Sequence, residues 1–143
     1  MRNKGPLSGI RVVDLTAMVS GPTATMILGD QGADVIKVEP IEGELMRQVG
    51  KNVNGMTDSV LCCNRSKRSI TLNLKNQVAI NILKKIISTA DVFIQNFRPG
   101  TIERMGLGYT QLKKINNKII YTSISGFGTK GPYAKQKVYD PVI

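Results

Sequence analysis

The sequence predicts an α/β fold in which a parallel sheet is flanked by helices. Short apolar runs alternate along the chain with segments of helical character, the pattern that βαβ crossovers produce. The first run, residues 10–15, is apolar on both of its alternating faces, which is typical of a strand buried between two layers. The 143 residues are 41% hydrophobic and 21% charged, a composition that indicates one soluble globular domain or part of a larger one.

Each strand is predicted from a short apolar or alternating run between turn-forming residues. The five predicted strands are residues 10–15, 35–39, 69–74, 91–95 and 119–125. Helices are predicted at 22–31, 76–89 and 110–116. Pro22 suits a first helical turn, Gly32 a helix stop and Thr110 an N-cap. Residues 40–58 resemble a loop, and the apolar segment 59–63 is compatible with either a helix or a strand.

The helix at 76–89 has the clearest pattern, because apolar residues recur at helical spacing. Its predicted buried stripe is Val78, Ile82, Leu83, Ile86 and Ile87.

Residue types that are missing or scarce exclude several chemistries. The chain has no histidine, so it holds no Ser-His or Cys-His nucleophile pair, no imidazole base and no His-ligated metal. Its two cysteines, Cys62 and Cys63, are adjacent and too few for a structural zinc site. We expect two reduced thiols at the end of a buried segment, and no metal.

A net charge of +10, from 20 basic and 10 acidic residues, favours anionic partners. The cations are spread without a basic block, and 5% aromatics are few for base stacking, so a nucleic-acid-binding module is a minor alternative. No apolar run approaches the roughly 20 residues of a membrane span, and the first residues lack a signal-peptide core. No membrane partner and a cytoplasmic location are therefore expected.

Ligands of parallel sheets bind at the carboxyl ends of the strands, which directs attention to the loops 16–21, 39–47, 95–105 and 126–140. In the third loop, an amide, an aromatic ring and a guanidinium at 96–98 suit a nucleotide, although a turn with Phe97 in the core fits equally well. The cations of segment 64–69 form either a solvated loop or a phosphate clamp. Residues 126–131 match G-x-G-x-x-G, but no helical period follows, so a flexible loop over a ligand is the better interpretation.

Several blocks together resemble the start of the family III coenzyme A transferases, which include carnitine and bile-acid CoA transferases and 2-methylacyl-CoA racemases. These blocks are PLSGIRVVDLT, LGDQGADVIKVEP, NRSKRSITLNLK, ADVFIQNFRPGTIERMGLGY and IIYTSISGFGTKGPY. The resemblance implies a Rossmann-like large domain, a smaller domain and two interlocked subunits. Residues 1–143 would be the incomplete N-terminal, CoA-binding part of the large domain, with the rest of that domain and the small domain absent.

The same resemblance implies transfer of CoA between an acyl-CoA and a free carboxylic acid through an aspartyl covalent intermediate. The family's nucleophilic aspartate is expected beyond Ile143, so no catalytic residue is assigned here and the chain alone is expected to be inactive. Racemases typically carry a histidine directly before the position of Asp140, where this chain has Tyr139. The transferase branch is therefore favoured, with the racemase as its alternative.

CoA-binding positions carry over from the family one by one. They are Met18, Val19, Ser20, Leu72, Lys75, Asn96, Phe97, Arg104, Met105, Lys137 and Tyr139. By the resemblance, Phe97 and Arg104 would pack on adenine, and Lys75 and Lys137 would contact phosphates. Some members have a basic residue where this chain has Pro40, and Arg47 is the candidate to replace it.

Overall fold

The computed structural model describes residues 4–138, and it contains one parallel five-stranded sheet. The strands are β1 (Arg11–Leu15), β2 (Asp34–Glu39), β3 (Lys67–Thr71), β4 (Val92–Gln95) and β5 (Ile120–Ser123). Their spatial order is β3-β2-β1-β4-β5, and all four neighbouring pairs are parallel. The predicted α/β fold with a Rossmann-like sheet is confirmed.

Helices cover both faces of this sheet. They are α1 (Ser20–Asp30), α2 (Asp58–Asn64), α3 (Gln77–Ile87), α4 (Thr101–Arg104) and α5 (Tyr109–Ile115), with a 3-10 turn at Leu45–Gln48. The ambiguous segment 59–63 belongs to α2, whose N-cap Thr57 accepts a hydrogen bond from the Val60 amide. The predicted N-cap at Thr110 is wrong, because α5 starts at Tyr109 and its N-cap is Gly108.

Two apolar layers flank the sheet and differ in size. The larger layer packs α3 and α5 against one face and includes Val13, Leu83, Phe93 and Leu112, all fully buried. On the other face, beside α1, the buried cluster consists of Val12, Ala33, Val35 and Ile94. Consecutive residues of β1 point to opposite faces, so Val12 and Val13 serve different layers. The α1 face is thus less apolar, and buried charged side chains, among them Asp14 and Lys37, also lie on it.

The buried face of α3 differs from the predicted stripe. Ala79, Ile80, Leu83 and Ile87 are buried, whereas Val78 is 65% and Ile82 is 41% exposed. The apolar side of this helix is broad and extends around it from Val78 to Ile80, so its periodicity is compatible with more than one inward direction. Packing against the sheet selects the face that contains Ile80.

The cysteines also differ from expectation. Cys62 is exposed and Cys63 half-buried, both as free thiols, so they do not close a buried segment. The reason is that α2 buries only Val60 of its seven residues.

No helix within residues 4–138 is long and apolar enough to cross a membrane.

The strand order reverses at β1, so that successive strands are added first on one side of β1 and then on the other. From β1 the chain proceeds through β2 to β3 at one edge, and α3 then returns it to β4 on the other side of β1. The loops that leave β1 and β4 therefore diverge to opposite sides and open a crevice at the carboxyl ends of the two strands.

Candidate functional site

A crevice of about 450 Å³ lies at this reversal point. Three strand-end loops form it, after β1, β4 and β5. Its lining residues are Ala17, Met18, Val19, Ser20, Asn96, Phe97, Arg98, Pro99, Ile124, Ser125, Gly126, Phe127, Ala134, Gln136, Lys137 and Val138. A volume of this size falls within the range of natural small-molecule pockets, roughly 300–1,000 Å³.

The loop after β1 is fastened to the loop after β4. Asn96 Nδ2 donates to the Ala17 carbonyl at 2.8 Å, and the Ala17 amide donates to Asn96 Oδ1 at 2.9 Å. The next residue, Met18, has φ = 67°, a left-handed conformation that is uncommon for a residue with a side chain. Asn96 thus joins the two walls of the crevice and holds a strained turn at its floor.

Gln95 fixes the wall formed by the end of β4. Its Oε1 accepts from the Phe97 amide at 2.8 Å, and its Nε2 donates to Ser123 Oγ of β5 at 2.8 Å. Phe97 is half-buried, packs against the larger apolar layer and also lines the crevice. The two alternatives for this segment, a core-plugging turn and a ligand-binding loop, are therefore compatible.

The loop after β5 folds back over the crevice. A Cβ at Gly126 would lie 2.4 Å from the Val138 side chain, so glycine is needed for this close approach. Phe127 is 39% exposed, and its ring centroid lies 5.7 Å from that of Tyr133. Residues 131–138 form turns and irregular backbone without a helix, which agrees with the rejection of a dinucleotide motif at 126–131. Phe127 was missed among the candidate residues, although its position after a strand could have indicated it.

The charges at the crevice favour an anion. Lys137 and Arg98 are exposed, and within the described part of the chain neither forms an ion pair. The first turn of α1, which begins at Ser20 on the crevice wall, contains no acidic residue. Two unpaired cations and the positive end of a helix dipole thus face the same space.

Among residues 4–138, no group of three or more His, Cys, Asp and Glu side chains could hold a metal ion.

The structure brings together six of the eleven predicted binding residues. They are Met18, Val19, Ser20, Asn96, Phe97 and Lys137. Leu72 is buried in the larger apolar layer, and Met105 packs against that layer. Lys75 and Arg104 are exposed and do not line the crevice. Tyr139 lies outside the described residues.

The cations of the basic segment 64–69 take part in ion pairs, which neither the solvated-loop nor the phosphate-clamp interpretation included. Each of its cations pairs with an aspartate from another element, at 2.7 Å for Arg65–Asp30 and Arg68–Asp34 and at 2.9 Å for Lys67–Asp14. Burial lowers the pKa of Lys67, and the charge of Asp14 opposes that shift. The sequence signal that was missed is the aspartate inside an otherwise apolar strand, because such a buried charge requires a partner.

Arg47 does not take the place of the absent basic residue at Pro40. Its guanidinium donates to both oxygens of Glu39, at 2.7 and 2.8 Å. These hydrogen bonds are the main reason why the pKa of Glu39 is lowered to about 2. Arg47 is therefore committed to a structural ion pair.

Comparison with known proteins points to one family. The profile described as CoA-transferase family III matches residues 7–143. The chain is 45% identical to the mouse succinyl-CoA:glutarate CoA-transferase over 139 residues, which is 96% of this chain and 32% of that protein. It is 43% identical to the acetyl-CoA:oxalate CoA-transferase of Acetobacter aceti, covering 98% of this chain and 36% of that enzyme.

A solved structure agrees with these sequence relatives. A CAIB/BAIF family protein from Brucella suis superposes with a TM-score of 0.91 at 41% identity, over 98% of this chain and 38% of that one. The chain therefore spans about a third of the length of the relatives it matches.

Proposed function

Because the chain belongs to CoA-transferase family III, we propose that its crevice binds the CoA part of an acyl-CoA thioester. In the whole protein, CoA would then pass from that thioester to a free carboxylic acid. The observation that carries the proposal is that Lys137 and Arg98, which form no ion pair within residues 4–138, line one crevice with the aromatic rings of Phe97 and Phe127. Cations suit the phosphates of CoA, and the aromatic faces suit its adenine.

The proposed chemical step uses an aspartate nucleophile that lies outside residues 4–138. In the proposed reaction an aspartate carboxylate attacks the thioester carbonyl and expels CoA thiolate, which leaves a mixed anhydride. The thiolate then attacks the aspartyl carbonyl of that anhydride, which releases the donor acid and leaves an aspartyl-CoA thioester on the enzyme. The acceptor carboxylate attacks this thioester to give a second mixed anhydride and CoA thiolate. The thiolate finally attacks the acyl carbonyl of the second anhydride, so that the new acyl-CoA forms and the aspartate carboxylate is regenerated. The role of residues 4–138 is to hold CoA so that its sulfur stays close to the anhydride, a positioning effect.

Leu72, Lys75, Arg104, Met105 and Tyr139 remain proposed contacts. Lys75 and Arg104 are exposed, so they are placed to contact parts of CoA that extend beyond the crevice.

The proposed acyl groups are those of short dicarboxylic acids. Relatives that share 42–45% of their residues with this chain are named for succinate, glutarate, oxalate or malate. A second carboxylate on the acyl group adds a negative charge, which suits a basic protein.

Titration calorimetry of the chain with CoA tests the binding proposal. The variant Lys137→Ala is expected to bind CoA about tenfold more weakly, the loss of roughly one charge-assisted contact at an exposed site. The matched control is Lys85→Ala, because Lys85 is also exposed but lies on α3, away from the crevice. Absence of heat from a wild-type chain that circular dichroism shows to be folded would contradict the proposal. Steeply salt-dependent binding to any DNA duplex would favour the nucleic-acid alternative.

The transfer reaction is tested with the protein extended to the length of its relatives. We expect exchange of CoA between succinyl-CoA and free glutarate or oxalate. Deuterium uptake at carbon 2 of a chiral 2-methylacyl-CoA, without exchange to free acids, would instead identify a racemase.

A further inference from the structure

Side chains hold every backbone polar group of Thr16 and Ala17, the first two residues of the loop after β1. Asp14 Oδ1 accepts from the Thr16 amide at 2.9 Å, and Lys37 Nζ donates to the Thr16 carbonyl at 3.0 Å. Asn96 holds both backbone groups of Ala17. The three residues that follow, 18–20, all line the crevice. The start of the binding loop is therefore fixed by groups that do not themselves line it, except for Asn96.

The two charged residues that hold Thr16 are each neutralised by a buried partner. Lys67 Nζ lies 2.9 Å from Asp14 Oδ2, with both side chains at most 2% exposed. Lys37 Nζ lies 2.6 Å from Glu44 Oε2 in an ion pair whose angles do not fit a hydrogen bond. Both side chains are at most 3% exposed. Both pairs lie on the α1 face of the sheet, where the apolar cluster is small.

Asn64, the last residue of α2, joins the two ion pairs. Its Oδ1 accepts from Lys67 Nζ at 2.9 Å, and its Nδ2 donates to Glu44 Oε1 at 3.3 Å. The contacts close into a ring, here called the polar ring, which consists of Thr16, Asp14, Lys67, Asn64, Glu44 and Lys37. It connects α2, β3, β2 and β1 to the crevice loop.

We propose that the polar ring is the positioning device for CoA binding, with Lys37 and Asp14 as its positioning residues; this rests on the proposed function of the crevice. Buried ion pairs contribute little net stability compared with apolar side chains of similar volume. Their cost is offset by hydrogen bonds that an apolar core cannot make. Asp14 Oδ1 accepts from both the amide and the hydroxyl of Thr16, and Lys37 donates to the Thr16 carbonyl. The ring thereby fixes where residues 18–20 meet the ligand.

Helix α1 holds the same loop residue from the other side. A Cβ at Gly21 would lie 2.4 Å from Thr16 Cβ and 2.5 Å from Thr16 Cγ2. Thr16 is therefore confined between the polar ring and the backbone of Gly21. A methyl group added there displaces the loop without removing any charge.

The test uses two variants that disturb Thr16 from opposite sides. Lys37→Met/Glu44→Met removes one ion pair as a unit, so no buried charge is left without its partner. Gly21→Ala keeps all ring members and adds a residue of higher helix propensity to α1. The control is Arg65→Gln/Asp30→Asn, which removes an exposed pair at the other end of the sheet.

Two measurements are made on each variant: the dissociation constant for CoA by calorimetry, and amide hydrogen exchange by NMR. Both test variants are expected to bind CoA at least tenfold more weakly. In both, the Thr16 and Ala17 amides are expected to exchange at least tenfold faster, while the Val13 amide in β1 is unchanged. The control is expected to match the wild type in both measurements.

The outcomes separate this inference from the proposed function. If the wild-type chain does not bind CoA, the proposed function fails, and the exchange data still decide whether the ring orders the loop. If the wild type binds CoA and both test variants bind it equally well, the positioning role is refuted. Equal acceleration of exchange at Val13 and Thr16 would show a role in stability alone, which also refutes it. If the double variant does not fold, Gly21→Ala decides.

Discussion

The two ends of the sheet carry clefts that differ in what their cations do. The cleft at the amino ends of β2 and β3 has a volume of about 1120 Å³, compared with about 450 Å³ for the crevice at the carboxyl ends. It is lined by Arg65 and Arg68, yet both guanidinium groups are 2.7 Å from an aspartate oxygen. Lys137 and Arg98 at the crevice have no such partner within the described residues. Among residues 4–138, both cations of the crevice thus lack an ion pair, whereas at the amino-end cleft only Lys4 lacks one.

The aspartates of the amino-end cleft are correspondingly stabilised as anions. Hydrogen bonds from Ser66 and Arg65 lower the pKa of Asp30. Burial opposes ionisation of Asp34, but hydrogen bonds from Arg68 and Arg11 outweigh it and lower the pKa of that carboxyl group. Both groups therefore stay charged at neutral pH and keep their ion pairs with Arg65, Arg11 and Arg68.

The largest expected effect is a difference in stability between variants of Lys67 and Arg68, which are neighbours in β3. Lys67 is 2% exposed and pairs with buried Asp14, whereas Arg68 is 65% exposed and pairs with Asp34. Lys67→Met should destabilise the fold by about 3–5 kcal/mol, because it leaves a buried carboxylate without its partner. Arg68→Gln should cost about 1 kcal/mol or less, as exposed pairs do. Urea unfolding of both variants measures the difference, and equal losses would show that the polar ring is not a buried charge network.

An effect of intermediate size is expected for Glu39 in acid. Its pKa is lowered from 4.5 to about 2 in the folded chain, so its ion pair contributes fully above pH 4.5 and is lost as pH falls towards 2. The shift corresponds to roughly 3 kcal/mol of unfolding free energy. Between pH 5 and pH 2 the wild type should therefore lose about that much more stability than Glu39→Gln. Parallel pH profiles for the two proteins, measured by urea unfolding, would contradict this assignment.

The order and type of the main elements could be predicted from the sequence because buried parallel strands and crossover helices leave simple apolar patterns. The strand at 10–15 and the helix at 22–31 lie within one or two residues of β1 and α1. The inward face of α3 could not be predicted, because Val78 and Ile80 are equally apolar and only contact with the sheet selects between them. The strand predicted at 69–74 is instead Lys67–Thr71, since charged residues of β3 pair across space with Asp14 and Asp34.

The candidate site could be predicted in part for a different reason. The alternation of strands and helices indicates which loops leave the carboxyl ends of the strands, and three of the four loops so predicted, 16–21, 95–105 and 126–140, contribute residues to the crevice, whereas 39–47 does not. The function of Asn96 as a clamp on Ala17 could not be predicted, because it depends on two loops separated by 79 positions. The polar ring could not be predicted either, because its six residues come from three strands, helix α2 and two loops and meet only in three dimensions.

The smallest expected effect comes from a substitution, Asp34→Asn, that would make the two clefts more alike. Asp34 holds both Arg11 and Arg68, so Asp34→Asn should free two guanidinium groups, of which Arg68 lines the amino-end cleft. The cost in stability should be about 1 kcal/mol or less, as for other solvent-accessible pairs. The freed groups should bind inorganic pyrophosphate with a dissociation constant of about 1 mM, equivalent to about 4 kcal/mol of binding free energy. Amide NMR shifts should then change at Gly32 and Ser66, which line that cleft, and not at Met18 or Phe97 in the crevice. The wild-type cleft should show no such shifts at the same pyrophosphate concentration. Equal pyrophosphate binding at Gly32 and Ser66 in the wild type would show that its paired arginines are already available to anions, and the distinction between the two ends of the sheet would fail.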